Sequence, residues 1–216
     1  MTEAFDGTWV DGSAYTDVVG LAHRAPSWLD ALISAWSTYG LGLFAVLMLA
    51  GWWRARRTGS GAAVVALAVP FVVVLAYALN DALKLVVRED RPCQSLRVVT
   101  LEACPAPGDW SFPSNHMAIA AAAAVALYFV SRPIGCTALL ASGAMGVSRV
   151  WVGVHYPHDV IAGFVVGALV ASVVMIPLTR HPDALARRLA TTRLRPLLSA
   201  SAAAEDPASD RVATPT

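Results

Sequence analysis

Hydrophobic residues along this chain gather into five runs of about 20, over residues 28–53, 62–87, 115–131, 134–152 and 158–178. Runs of that length match a hydrocarbon core of roughly 30 Å crossed by an α-helix. The pattern predicts an all-α, polytopic membrane bundle of about five spanning helices. Gly59-Ser60-Gly61 and Arg132-Pro133 mark tight turns between runs. A longer connection, 88–113, carries two Cys, four Pro and a Gly, and a loop of that length is expected to be ordered by function. Pro70, midway along the second run, predicts a kink, which neighbouring helices tolerate in lipid. Residues 120–124, all alanine, predict a thin helix surface for close packing.

The flanking segments read differently. Residues 1–27 carry Asp6, Asp11 and Asp17 with neither a basic start nor an apolar stretch, which argues against a secretory signal. They are expected outside the membrane or along its interface, followed by a membrane domain over 28–180. Beyond Arg180 the chain turns Ala/Arg-rich and then Ser/Ala/Pro/Asp-rich, a composition that buries no core. Residues 181–216 are therefore expected to form a largely disordered tail, with disorder from about 197.

With five spans, the amino terminus, the 88–113 loop and the 153–157 connection share one face. The opposite face collects ten of the sixteen basic residues, from Arg54, Arg56 and Arg57 to Arg132, Arg180 and the arginines of the tail. The positive-inside rule makes that face cytoplasmic and turns the first face outward. Of the remaining basic residues, Lys84, Arg88, Arg91, Arg97 and Arg149 crowd the outward ends of the second and fourth runs. A single such residue is ordinarily a snorkelling anchor; five against the usual bias point to an anionic ligand.

Composition narrows the classes further. The chain is 56% hydrophobic and 14% charged, with a net charge of +1, and its arginines form short juxtamembrane clusters, which excludes a nucleic-acid partner. Cys93 and Cys104 share the long loop while Cys136 begins another run. At most one intrachain disulfide is expected, in that loop, with three unpaired thiols as the alternative.

Three polar islands interrupt the apolar runs: Lys84-x6-Arg91-Pro92, Pro113-Ser114-Asn115-His116 and Ser148-Arg149-x5-His155-x3-Asp159. Pro157 suits the first turn of a helix, so His155 stands just before that helix and Asp159 in its first turn. Asp159 can then accept the Nδ1 proton of His155 and leave Nε2 with a lone pair, as a triad carboxylate does. A bland reading makes Asp159 a helix N-terminal charge, His155 a structural interfacial histidine and His158 an exposed neighbour; nothing in the motif gives His158 a partner. Ser114 reads as an N-cap, the first turn behind it as an anion site, and His116 as a general acid, or the pattern is only a capped helix start. Lys84, Arg91 and Arg149 are suited to clamp the oxygens of a transferring phosphoryl group. No metal cage is apparent, because Asp159 is the one available carboxylate and the histidines lack ligand spacing.

Together these residues resemble the three signature motifs of the type 2 phosphatidic acid phosphatase (PAP2) superfamily, in order and with matching spacing. The resemblance implies the helical core shared with the haloperoxidases and a membrane lipid phosphatase. It implies that His155 attacks phosphorus to form a phosphohistidine, Asp159 orients it, and His116 protonates the leaving group and then activates water. Lys84, Arg91, Ser114 and Arg149 would bind the phosphate, without metal or other cofactor. The family usually has Gly where this chain has Asn115, whose N–H can still serve the phosphate while its side chain narrows the pocket or meets the substrate. The family also usually has six spans against five here. The expected substrate is a lipid phosphate or diphosphate, with a polyprenyl diphosphate favoured over phosphatidate, phosphatidylglycerol phosphate or a prenylphosphoryl sugar phosphate. A phosphotransferase using the same histidine, and a silent transporter or assembly factor, are the alternatives.

Overall fold

A computed structural model describes residues 4–198. Ten helices follow in chain order among the described residues: α1 (Thr8–Ala22), α2 (Ser27–Tyr39), α3 (Leu41–Ala55), α4 (Ser60–Val87), α5 (Pro92–Ser95), α6 (Asn115–Val130), α7 (Arg132–Trp151), α8 (Pro157–Arg180), α9 (Pro182–Ala190) and α10 (Arg195–Leu198). The only β pairing found there is an isolated parallel bridge between Phe5 and Glu89.

The centre of the bundle is α6, packed between α4, α7 and α8. Ala120 to Ala124 are all fully buried. Alanine is the strongest helix former and adds almost no bulk, so its neighbours approach to backbone distance. On α8, a Cβ at Gly163 or Gly167 would collide with the carbonyl oxygens of Ser114 and Ala118. Close packing of small residues thus joins α6 to α8, as the alanine run leads one to expect. This seam fixes the start of α6, with Ser114 to His116, against the start of α8, with Asp159.

The first apolar run is not one straight helix. It breaks at Gly40 into α2 and α3, bent by 53°. The Trp36 carbonyl and ring and the tip of Met145 crowd the space that a side chain at Gly40 would need, so a larger residue there would push them apart. Pro70, by contrast, lies within an uninterrupted α4. By length and composition α4 and α8 qualify as membrane spans, and α2 with α3 qualifies as a third if the bent pair is one span. The count of five is not reached on these criteria. At 16 residues, α6 is only about 24 Å long, and α7 carries Arg132 and Arg149 within its 20 residues.

Order continues past Arg180. Ala186 of α9 and Leu198 of α10 are buried with Ala63 and Val64 of α4, and Trp52 Nε1 donates to the Leu197 carbonyl at 3.0 Å. The expectation of disorder from about 197 lies almost wholly outside the described residues.

Candidate active site

Helix ends deliver the three islands to one place. The second island arrives on the first turn of α6, opened by Ser114 in an extended conformation. The end of α4 is set by Arg88, whose left-handed φ of 53° stops the helix one turn beyond Lys84. Arg91 is extended, as a residue before proline tends to be, and Pro92 begins α5. Arg149 sits in the last turn of α7, and Pro157 is the first residue of α8.

These ends enclose a cleft of about 310 Å³ lined by Lys84, Arg91, Asn115, His116, Arg149 and His155, with Tyr77, Glu102, Asp109 and Ile119 among its other walls. His155 is 2% exposed and Asp159 fully buried. Nδ1 of His155 faces Asp159 Oδ2 at 3.2 Å, and Arg91 Nη1 donates to Nε2 at 2.9 Å. The acceptor at Nδ1 and the donor at Nε2 together select the tautomer with its proton on Nδ1 and its lone pair on Nε2. Burial, reinforced by Arg91, Arg149 and Lys84, holds the imidazole well below its ordinary pKa of 6.5.

Asp159 is fixed by groups that sequence reasoning missed. Its Oδ2 also accepts from Ser111 Oγ at 2.5 Å and from the Tyr156 N–H at 2.8 Å. Each cation is likewise seated: Lys84 Nζ donates to the Trp110 and Ser111 carbonyls at 2.5 and 3.3 Å. Arg91 spans the Asp109 and Val154 carbonyls, both at 2.9 Å, and pairs with Asp109 Oδ1 at 2.8 Å. Arg149 donates to Ser37 Oγ at 2.5 Å and to Glu102 Oε2 at 3.2 Å. Asp159 is therefore not the one carboxylate available to this site. Asp109 and Glu102 come from the long loop, whose Cys93 and Cys104 form a disulfide; Cys136 is free and exposed.

Asn115 turns its amide toward α4. Asn80 Nδ2 donates to Asn115 Oδ1 at 2.7 Å, and Asn115 Nδ2 donates to Asp81 Oδ1 at 3.1 Å. Asn80-Asp81 left a signal that was available, since a polar pair inside an apolar span marks function by default. Ser114 occupies the N-cap position, but its hydroxyl makes no cap bond and is buried with no hydrogen-bond partner among the described residues.

His158 corrects the sequence reading outright. It is neither exposed nor without a partner: Nδ1 lies 2.8 Å from Asp11 Oδ1 and Nε2 lies 2.9 Å from Glu89 Oε1. Asp11 lies outside all three motifs and Glu89 stands in the spacer of the first, so no local pattern announced either.

Residues 65–181 match the PAP2 superfamily. Undecaprenyl-diphosphatase BcrC of Bacillus subtilis is 34% identical over 151 residues, covering 70% of this chain and 75% of its own. Decaprenylphosphoryl-5-phosphoribose phosphatase of Mycobacterium tuberculosis is 35% identical over 101 residues, covering 46% of this chain and 54% of its own. The fold is similar to the crystal structure of a transmembrane PAP2-type phosphatidylglycerolphosphate phosphatase from Bacillus subtilis, with a TM-score of 0.52 at 20% identity, covering 84% of this chain and 89% of that one. The chain belongs to the PAP2 superfamily. It is a membrane-integral phosphatase of that family.

Proposed function

We propose that the chain is a lipid phosphatase that hydrolyses a polyprenyl diphosphate to the monophosphate at the outer face of the membrane, through a phosphohistidine on His155. The observation that carries the reading is the pairing of His155 with Asp159 beneath three cations in one cleft. In this mechanism Nε2 attacks the terminal phosphorus and the bond from phosphorus to the bridging oxygen breaks. His116 gives its proton to that oxygen, and the lipid monophosphate leaves. His116 then takes a proton from water, whose oxygen attacks the phosphohistidine, releasing inorganic phosphate and restoring His155.

Arg91 has a double part here. Its Nη1, bonded to Nε2, passes to a phosphoryl oxygen as phosphorus approaches that nitrogen, so the group that guards the lone pair becomes a clamp on the charge. Lys84 and Arg149 bind the other oxygens, with Ser114 and the Asn115 N–H contributing from the first turn of α6. Fixed cations supply the neutralisation that a metal ion supplies elsewhere.

Two features support an outward cleft. The opposite end of the bundle carries Arg54, Arg56, Arg57, Arg132 and Arg180, and the loop over the cleft is closed by the Cys93–Cys104 disulfide, a bond that persists in oxidising compartments. The substrate follows the sequence likeness that covers 70% of this chain at 34% identity, to a protein named for undecaprenyl diphosphate.

Phosphate release by the detergent-purified protein tests this reading, with polyprenyl diphosphate, prenylphosphoryl sugar phosphate, phosphatidate and phosphatidylglycerol phosphate as substrates in chelator. The expected result is highest kcat/KM on the polyprenyl diphosphate, unchanged by chelation. A requirement for added Mg²⁺, or preference for phosphatidate, overturns it.

A further inference from the structure

In sequence His158 falls between the proposed nucleophile and its orienting carboxylate, yet its ring is turned away from the cleft, into a cluster of acids. The geometry points to a latch: Asp11 and Glu89 hold His158 as a cation against the back of Asp159, and the N-terminal segment thereby positions the catalytic pair. The inference rests on the assignment of His155 and Asp159 above. It extends that assignment to Asp11, which lies outside the residues matched to the family.

Carboxylates only accept hydrogen bonds, and both ring nitrogens of His158 face one. Only the doubly protonated ring satisfies both. Its Nε2 also lies 3.6 Å from Asp159 Oδ1, a fully buried oxygen that has no hydrogen bond among the described residues. Asp159 Oδ2 holds His155, and the imidazolium supplies the charge facing the other oxygen. Ionised carboxylate is the form that accepts the Nδ1 proton of His155, and a cation at that range favours it.

Each part of the latch is anchored. Asp11 Oδ2 accepts the His158 backbone N–H at 2.7 Å, so one carboxylate holds both the ring and the first turn of α8. The ring stacks on Tyr156 with centroids 5.3 Å apart. Tyr156 packs against Tyr15, whose hydroxyl donates to the Gly153 carbonyl at 2.9 Å. Glu89 is fixed by the bridge to Phe5, where Phe5 N–H donates to the Arg88 carbonyl and Asp90 N–H to the Phe5 carbonyl, each at 3.0 Å. Gly7 passes so close to Glu89 that a Cβ would strike its carboxylate.

The charged and titratable groups around the catalytic pair are Asp11 from α1, Lys84 from α4, Glu89 and Arg91 from the loop after it, His116 from α6, Arg149 from α7 and His158 from α8. Arg91, Arg149 and Lys84 also charge the cleft where substrate binds. His158 is not among the residues that line that cleft, so the latch predicts an effect on turnover and not on binding.

The test compares wild type with His158→Gln, His158→Lys, Asp11→Asn and the Asp11→Asn/His158→Gln pair on the preferred lipid diphosphate. His158→Gln and Asp11→Asn are expected to lower kcat about tenfold with KM within about twofold, and to move the acid limb of kcat to higher pH by on the order of one unit. His158→Lys, which keeps a cation, recovers part of the loss. The pair costs no more than His158→Gln alone, because members of one unit are not additive. Wild-type kcat and an unmoved acid limb in folded His158→Gln or Asp11→Asn overturn the latch, as does a loss confined to KM. Glu89, His158 and Asp159 also bring ligand-type atoms within 4.8 Å of one another, so wild-type activity abolished by chelator and restored by Zn²⁺ or Mn²⁺ overturns it too. Trapping of phosphoenzyme separates the two levels. A phosphohistidine still present in His155→Ala removes the underlying assignment and the latch with it, whereas one that depends on His155 while His158→Gln turns over normally removes the latch alone.

Discussion

His155 and His158 stand three residues apart, on either side of Tyr156-Pro157, and the fold gives them opposite surroundings. His155 faces the cleft, where Arg91 donates to Nε2 and Arg149 and Lys84 add positive charge. His158 faces the back of the same loop, where Asp11 and Glu89 each meet a ring nitrogen. The first is held neutral with a lone pair toward the cleft; the second is held between acceptors, as a donor on both sides. Asp159 is the wall between them, bonded to one through Oδ2 and lying near the other through Oδ1. Identical side chains thus acquire different chemistry from the charges that distant segments bring to them.

The largest effect that tests this contrast is the loss of the nucleophile. His155→Ala and Asp159→Asn are each expected to lower kcat by about a thousandfold or more, the latter by releasing the tautomer that exposes Nε2. Rapid-quench trapping checks it: an acid-labile, base-stable phosphoenzyme persists in His158→Gln and is absent from His155→Ala. The reverse pattern would exchange the roles of the two histidines and undo the comparison.

A smaller effect concerns stability and sharpens the contrast in protonation. His155 stays unprotonated in the fold, while the unfolded chain's histidine takes a proton near 6.5. Unfolding therefore binds a proton below that pH, so this contribution to stability is complete above 6.5 and is lost as pH falls. The slope from this group is at most about 1.4 kcal/mol per pH unit. His158, already protonated between its carboxylates, adds no such loss. Unfolding midpoints measured in detergent across this range are expected to fall less steeply with acid in His155→Ala than in wild type; equal slopes would place a proton on His155 in the fold.

How much of this was legible in the sequence depends on the distance over which each part is determined. The apolar runs, the starts of α6 and α8, the stop before Arg91-Pro92 and the pairing of His155 with Asp159 follow from residues within a turn or two of one another. The cleft itself was legible because the three motifs lie at the ends of apolar runs, where polar residues of one chemistry collect. The groups that hold the motif residues were not. Ser111 reaches Asp159 across 48 positions, Ser37 reaches Arg149 across 112, and Asp11 reaches His158 across 147. No periodicity relates such positions. Gly40 was hidden for a different reason, since a glycine in an apolar run reads as tolerated until a neighbour such as Trp36 is known to need its space.

The smallest expected effect asks whether charge or bonding holds the back of the loop together. Three carboxylates, from Asp11, Glu89 and Asp159, face the single imidazolium of His158, and Glu89 is 1% exposed with its Oε2 unpartnered among the described residues. Glu89→Gln keeps an oxygen to accept from His158 Nε2 and removes one negative charge from a buried site. A buried carboxylate with an unsatisfied oxygen carries a desolvation cost, and the amide relieves the charge while leaving its own N–H₂ to be satisfied. These terms oppose one another, so stability should stay within about 1 kcal/mol of wild type and kcat within about threefold. Thermal unfolding and steady-state turnover of the same preparation decide it. If Glu89→Gln instead lowers kcat as far as His158→Gln, the charge of Glu89 is what keeps His158 a cation, and Asp11 serves mainly to hold the start of α8.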